Sequence, residues 1–150
     1  MISIIQRVTS AKVTVAGKDI GKIQQGILAL VAVEPFDTEK AAQRLLERIL
    51  SYRIFADAED KMNLSLRDIN GGLLVVPQFT LAADTQKGNR PSFTSAAPPE
   101  IGLKLFNYFS RQALENYPNV AFGQFGADMQ VSLVNNGPVT FILRVPPPLT

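Results

Sequence analysis

Residues 131–143 read VSLVNNGPVTFIL, two alternating apolar runs separated by Asn135-Asn136-Gly137-Pro138. The path of the chain through those four residues decides the fold. Asn136-Gly137 supplies the positive φ values of a two-residue hairpin loop, which makes Met129 to Val134 and Val139 to Val145 two antiparallel strands joined by a turn. Gly137-Pro138 is then surplus to the turn, since Asn-Gly alone closes a hairpin. A second reading gives the four residues a functional role, and the rest of the chain must choose between them.

Working outward, the pattern is that of one α+β domain with a mixed, largely antiparallel sheet and two main helices. Ile2 to Val8 and Lys12 to Val15 read as strands, Ala16-Gly17-Lys18 as a turn, and Asp19 to Ile23 as the returning partner. The continuous apolar run Ile27 to Val33 suits a strand covered on both faces. After Pro35, Asp37 or Thr38 caps a helix to about Ser51, with Ala41, Leu45, Leu46 and Ile49 on one stripe. Arg53 to Phe55 reads as a short strand and Ala56 to Lys61 as a charged turn. Leu73 to Val76 is a strand that ends, or lies at an edge, at Pro77. A second helix starts at Pro98-Pro99-Glu100 and stops near Asn116, and Val120 to Phe125 returns to strand. The domain is expected over residues 1–145, followed by a disordered Pro-rich tail at 146–150.

Composition narrows the chemistry. Hydrophobic residues make up 46% and charged residues 19% of 150, the balance of a globular chain. No apolar run reaches the length of a membrane span, and Met1 to Val8 lacks the length and flanks of a signal peptide, so the cytoplasm is the expected location. There is no cysteine and no histidine. Thiolate nucleophiles, Ser-His-Asp triads and Cys- or His-based metal sites are excluded, and the scattered acidic residues show no metal-ligand spacing. Any catalysis runs on carboxylates, hydroxyls, backbone amides or groups brought by the substrate. The formal net charge is only +2, so contact with nucleic acid needs a local basic cluster.

Three stretches depart from ordinary packing patterns. Gln78 and Thr80 stand around Phe79 at the end of the buried strand, just before the irregular stretch Ala82 to Pro99. They suit a solvent-facing strand end, or hydroxyl and amide donors aimed into a pocket. Lys87 and Arg90 flank Gly88 in that stretch, as a solvated loop or as contacts to a phosphate backbone. Phe125, between Gly123 and Gly126, lies four residues before Met129. The pair reads as core, or as a clamp on a nucleobase.

Taken together, Gln6 to Val8 (QRV), Lys61 to Leu66 (KMNLSL), Leu73 to Thr85 (LLVVPQFTLAADT), Lys87 to Phe93 (KGNRPSF), Phe125 to Met129 (FGADM) and Val131 to Thr140 (VSLVNNGPVT) resemble the D-aminoacyl-tRNA deacylases, in order from about Met1 to Arg144. The resemblance implies a homodimer that hydrolyses the ester of D-aminoacyl-tRNA, and of mischarged glycyl-tRNA, without cofactor or metal. It implies that Gly137-Pro138 is cis and projects into the active site of the partner subunit, where its carbonyls reject an L-amino acid. Gln78, Phe79 and Thr80 then form the catalytic edge, the RNA 2′-OH assists attack by water, and Phe125 and Met129 hold the terminal adenine. Arg7 anchors the Gly-Pro segment, and Lys87 and Arg90 meet the tRNA backbone. The family's usual motif has Ser where this chain has Pro77. A related branch that removes a small L-amino acid from mischarged tRNA also carries Pro there, so that activity, and a noncatalytic tRNA-binding module, stand as alternatives.

Overall fold

The computed structural model describes residues 1–148 of the chain. Ile2 to Val15 forms one strand, β1 (Ile2–Val15), where two were expected, because the strand on one edge keeps pairing past Thr9 while the partners on the other edge change over between Val8 and Ala11. At its end Ala16 and Gly17 take φ values of 51° and 80°, the left-handed pair of a tight hairpin, and the chain returns as β2 (Lys18–Ile23). β2 pairs with the second half of β1. The first half pairs with β3 (Gly26–Ala32), from Ile2 opposite Ala32 to Val8 opposite Gly26.

The other edge of β1 belongs to β8 (Gln130–Arg144), and this overturns the hairpin reading of VSLVNNGPVTFIL. Gln130 to Val134 lie opposite Thr14 to Ser10, and Thr140 to Arg144 lie opposite Gln6 to Ile2. The chain therefore does not reverse at Asn136-Gly137. Both runs lie end to end along β1, which is long enough to give ladder bonds to each. The surplus residues leave the ladder as a bulge, with Arg7 alone opposite Asn136, Gly137, Pro138 and Val139.

β3 continues the sheet into β6 (Gly72–Pro77) and then β7 (Val120–Phe122), both pairings parallel. The sheet is thus mixed, antiparallel around β1 and parallel from β3 outward. Gly26 and Gly72 face each other in the ladder; a Cβ on Gly26 would overlap the Gly72 carbonyl, so the strands meet only with glycine there, and a Cβ on Gly72 would come to 2.8 Å from the Ile23 side chain. β7 is shorter than the expected Val120 to Phe125, because the chain turns at Gly126 with φ 77°. The expected strand at Arg53 to Phe55 is displaced by a residue. It is β4 (Phe55–Ala56), which pairs with β5 (Met62–Leu64) in a separate ribbon around the charged turn.

The apolar run of β3 is covered on both faces, as its composition predicts. Ile27, Ala29 and Val31 join α1 (Glu39–Ser51) and α3 (Pro99–Asn116) in one core with Leu45, Ile49, Leu105 and Phe109. Leu28 turns the other way, into a second core with Val8, Val13, Ile23, Leu74 and Val76. Thr38, not Asp37, caps α1, its hydroxyl accepting the Ala41 N–H at 3.1 Å. A one-turn helix, α2 (Leu66–Ile69), is added by a reciprocal cap between Ser65 and Asp68 that the periodicity did not indicate. None of these helices is long and apolar enough to cross a membrane. Beyond β8, Pro146 to Pro148 adopt no regular structure, and residues 149 and 150 of the expected tail lie outside the described residues.

Asp37 has a different task. Its carboxylate accepts from the Met1 ammonium at 2.8 Å and from the Glu34 N–H at 2.7 Å, while Glu34 holds Arg144 through two bonds of 2.9 Å. Burial pushes the Asp37 carboxyl above the ordinary carboxylate range, against the opposing pull of the ammonium and the Glu34 N–H. The network ties the start of β1, the end of β8 and the approach to α1 together. Met1 is fully buried, and Asp37→Ala leaves its ammonium with the Val145 carbonyl at 2.7 Å and the Glu34 carboxylate at 3.9 Å but without its closest charged partner. The expected cost is about 1–3 kcal/mol, read as a lower urea midpoint at unchanged slope.

Candidate active site

The site is built at the C-terminal end of β6. Pro77 pairs with Val31, and the Gln78 N–H then donates to the Val31 carbonyl at 2.8 Å, the last rung of the ladder. Because backbone donors alternate in direction along a strand, the proline nitrogen faces the β7 side, where pairing has already stopped at Phe122. Proline therefore costs the sheet no hydrogen bond here. Beyond Gln78 the chain tightens into a 3-10 turn, Phe79–Ala82.

That turn exposes unused donors. Among the described residues neither the Phe79 nor the Thr80 backbone N–H has an internal acceptor, as expected for the opening amides of a helical turn. The Gln78 side-chain amide donates to Thr80 Oγ1 at 2.6 Å. One lone pair of the hydroxyl is thereby occupied and its proton is free to point outward. Phe79 is 58% exposed, an unusual position for a large aromatic next to a buried strand.

Behind these groups lies an apolar cavity of about 260 Å³, walled by Val31 of β3, Val33 just beyond it, Pro77 to Phe79, Phe106 of α3 and Phe125. Phe125 is held by Phe106, ring centres 6.2 Å apart, and by Gly102, where a Cβ would come to 3.5 Å from the Phe125 ring. Met129 does not line the cavity. Its sulfur accepts the Gln124 N–H at 3.4 Å and fills the space over Gly123, so it braces the loop that presents Phe125. The structure thus divides the expected clamp into one wall and one support.

Lys87 and Arg90 are exposed on the segment between Asp84 and Ser92, whose backbones bridge at 2.7 and 3.3 Å and close the loop at its base. Phe93, just past the bridge, packs on Phe79 at 5.2 Å between ring centres and fixes the loop beside the 3-10 turn.

Gly137 and Pro138 line none of this cavity. They stand exposed in the β8 bulge, and the bond between them is cis. Arg7 holds the bulge, its Nε donating to the Asn136 carbonyl at 3.0 Å and its Nη1 to the Ile54 carbonyl at 2.8 Å. Asn135 closes the base, accepting the Val139 N–H and donating to Thr140 Oγ1, both at 3.1 Å. At φ 143°, Gly137 sits where L-residues are strained, and an added Cβ would come to 2.6 Å from the Val139 side chain.

Sequence reasoning passed over Phe106 and Gly102, and took Asn135 and Thr140 only as parts of the stretch around Gly137-Pro138. Gly102 carried a usable signal, since glycine inside a helix costs about 1 kcal/mol and needs a packing reason. The bonds by which Asn135 and Thr140 close the bulge had no signal in the sequence.

A family model described as D-Tyr-tRNA(Tyr) deacylase matches residues 4–144. The chain belongs to the D-Tyr-tRNA(Tyr) deacylase family. It is 58% identical over 145 residues to a D-aminoacyl-tRNA deacylase of Pseudomonas putida, covering 97% of this chain and 100% of that protein. It is 59% identical over 147 residues to the D-aminoacyl-tRNA deacylase of Nitrosococcus oceani, covering 98% and 95%. The solved structure of the c-Myc DNA Unwinding Element Binding Protein superposes with a TM-score of 0.93 at 39% identity, over 97% of this chain and 99% of that one. A probable eukaryotic D-amino acid tRNA deacylase shares the fold, with a TM-score of 0.81 at 18% identity over 95% and 97%.

The Gln6 to Val8 and Asn135 to Thr140 stretches meet at the bulge, so Arg7→Met tests its anchor. The substitution keeps an unbranched stem and removes both bonds. The expected loss is about 1–3 kcal/mol, with amide chemical-shift changes concentrated at Asn135 to Val139.

Proposed function

We propose that this chain hydrolyses the ester of D-aminoacyl-tRNA, and of mischarged glycyl-tRNA, releasing the free amino acid and tRNA. The observation that carries the reading is an uncharged set of donors, the Phe79 and Thr80 N–H groups and the Thr80 hydroxyl, at the mouth of an apolar cavity sized for a nucleobase. None of the residues in this set ionises near neutrality, which suits a substrate that is already an activated ester. The relatives bearing the D-aminoacyl-tRNA deacylase name support the same substrate.

In this reading the terminal adenine enters beside Phe125, and the ester carbonyl lies over the 3-10 turn. Water adds to the carbonyl carbon, its proton passing by way of the neighbouring ribose 2′-OH to the ribose oxygen that departs. The free N–H groups take up the charge that develops on the carbonyl oxygen. Thr80 positions and donates; no base stands near enough to make it a nucleophile. Lys87 and Arg90 lie along the tRNA backbone. The enzyme acts in the cytoplasm, where tRNA is charged.

Chirality is read by a second copy of the chain. In the homodimer the Gly137-Pro138 bulge of one subunit enters the cavity mouth of the other, and its carbonyls face the substrate amino group and Cα. An L side chain collides with this wall, while a D side chain or a glycine hydrogen does not, which is selection by rejection. Two features support the arrangement. The bulge is held outward by Arg7, and β8 exposes Val134 and Ile142, at 56% and 71%, on an edge strand that needs a partner.

Single-turnover assays on D-tyrosyl-tRNA and L-tyrosyl-tRNA, with chelator present, test the reading. Rapid loss of the D-ester alone is expected, with no bell-shaped pH dependence between about pH 5 and 9, since no histidine or cysteine is available to supply one. Thr80→Val is expected to slow D-ester cleavage by about 10²-fold. Stability of both tyrosyl esters with turnover of L-alanyl-tRNA would contradict the reading and favour the branch that shares Pro77.

A further inference from the structure

The groups proposed so far place the terminal nucleoside and its ester, with Lys87 and Arg90 as the backbone contacts beside the 3-10 turn, but give the strand no contact on the α3 side of the cavity. We infer that the outer face of α3 is a second RNA-binding site, taking the backbone phosphates of the strand that leads into the cavity. This inference rests on the proposed tRNA substrate and extends it to the path of the strand. Immediately beside the cavity, Lys104, Asn107, Ser110, Arg111 and Leu114 of α3, with Phe122 of β7, line an open depression of about 560 Å³.

The two hollows share no lining residue but are built from the same two segments. Phe106 walls the cavity and Asn107, the next residue of α3, walls the depression. Phe122 borders the depression, and Phe125, on the loop leaving the same strand, borders the cavity. In this inference the strand leaves the cavity past Phe125 and runs along this flank of α3.

The chemistry suits a polyanion. Lys104 and Arg111 are seven residues apart and so share one face of the helix, about 10.5 Å from each other along its axis. That separation lets them meet successive phosphates instead of a single one. Among the described residues neither forms an ion pair. The carboxylates of α3, Glu100 and Glu115, lie near its two ends and do not line the depression. The Arg111 guanidinium rests 5.9 Å over the Tyr108 ring, whose hydroxyl accepts from Gln43 of α1, so α1 fixes its platform. Between the cations, Asn107 offers an amide, and Leu114, 59% exposed, offers an apolar surface for a ribose or base.

The test compares the wild type with Lys104→Ala/Arg111→Ala. Binding of uncharged tRNA is followed by fluorescence anisotropy over a salt series, and cleavage is measured on D-tyrosyl-tRNA and on the D-tyrosyl ester of adenosine. The double variant is expected to bind tRNA several-fold more weakly, with a log K against log[salt] slope shallower by about 1.4 for two single-strand phosphate contacts. Its KM for D-tyrosyl-tRNA rises while kcat stays unchanged, and it cleaves the adenosine ester as the wild type does. Lys104→Arg/Arg111→Lys keeps the wild-type slope. An unchanged slope, or an equal defect on the adenosine ester, would overturn the inference. If the wild type cleaves neither ester but its tRNA binding shows the slope change, the proposed activity fails and the phosphate site stands.

Discussion

The structure depends on the pairing of β1 with β8, and Arg7 holds the place where four residues of β8 are left unmatched in it. Two strands of this length cannot run side by side through four unmatched residues unless something absorbs them. Arg7 does so by holding the Asn136 carbonyl from within the sheet while its other arm holds Ile54 at the end of α1's connection. Asn135 and Thr140 close the base of the bulge. The ladder therefore continues on both sides, and Gly137-Pro138 is displayed at the surface at a fixed place. In the proposed function this converts a packing defect into a wall that another copy's substrate must pass.

The proposed catalytic edge follows the same economy. A parallel strand that stops at Pro77 and tightens into a 3-10 turn leaves two amides without partners, and Gln78 sets the orientation of the Thr80 hydroxyl. The aromatic and aliphatic walls behind them come from elements already committed to the core, β3 and α3. Little has been added to the fold to make the site, in keeping with a reaction whose difficult part is choosing the substrate.

Much of this was legible in the sequence. The run Ile27 to Val33 announced a strand buried on both faces, Thr38 and Pro99 marked helix starts, and the absence of histidine and cysteine confined the chemistry to carboxylates, hydroxyls, backbone amides or groups brought by the substrate. The reading of Asn136-Gly137 as a hairpin failed for a physical reason. Local turn propensity favours reversal, but Arg7, 129 residues away in the chain, supplies hydrogen bonds that a turn could not use. The strand breaks expected near Thr9 and within β8 failed likewise, because continuity comes from neighbouring strands and not from the alternation of one. Met129 could not be separated from Phe125 by spacing alone, since its place under Gly123 is a matter of three-dimensional contact.

The central claim is that the Gly137-Pro138 bulge of one subunit completes the site of another. Subunit exchange between two variants tests it most directly, one lacking the Gln78 and Thr80 side chains and the other Gly137→Ala, which keeps its catalytic edge but loses the wall and so cleaves L-tyrosyl-tRNA as well as D-tyrosyl-tRNA. Random pairing of equal amounts places an intact bulge opposite half of the intact cavities, so cleavage of the L-ester should fall by about half on exchange while cleavage of the D-ester stays unchanged. Exchange that leaves cleavage of the L-ester undiminished, or full D-selective activity of a strictly monomeric chain, would contradict the account.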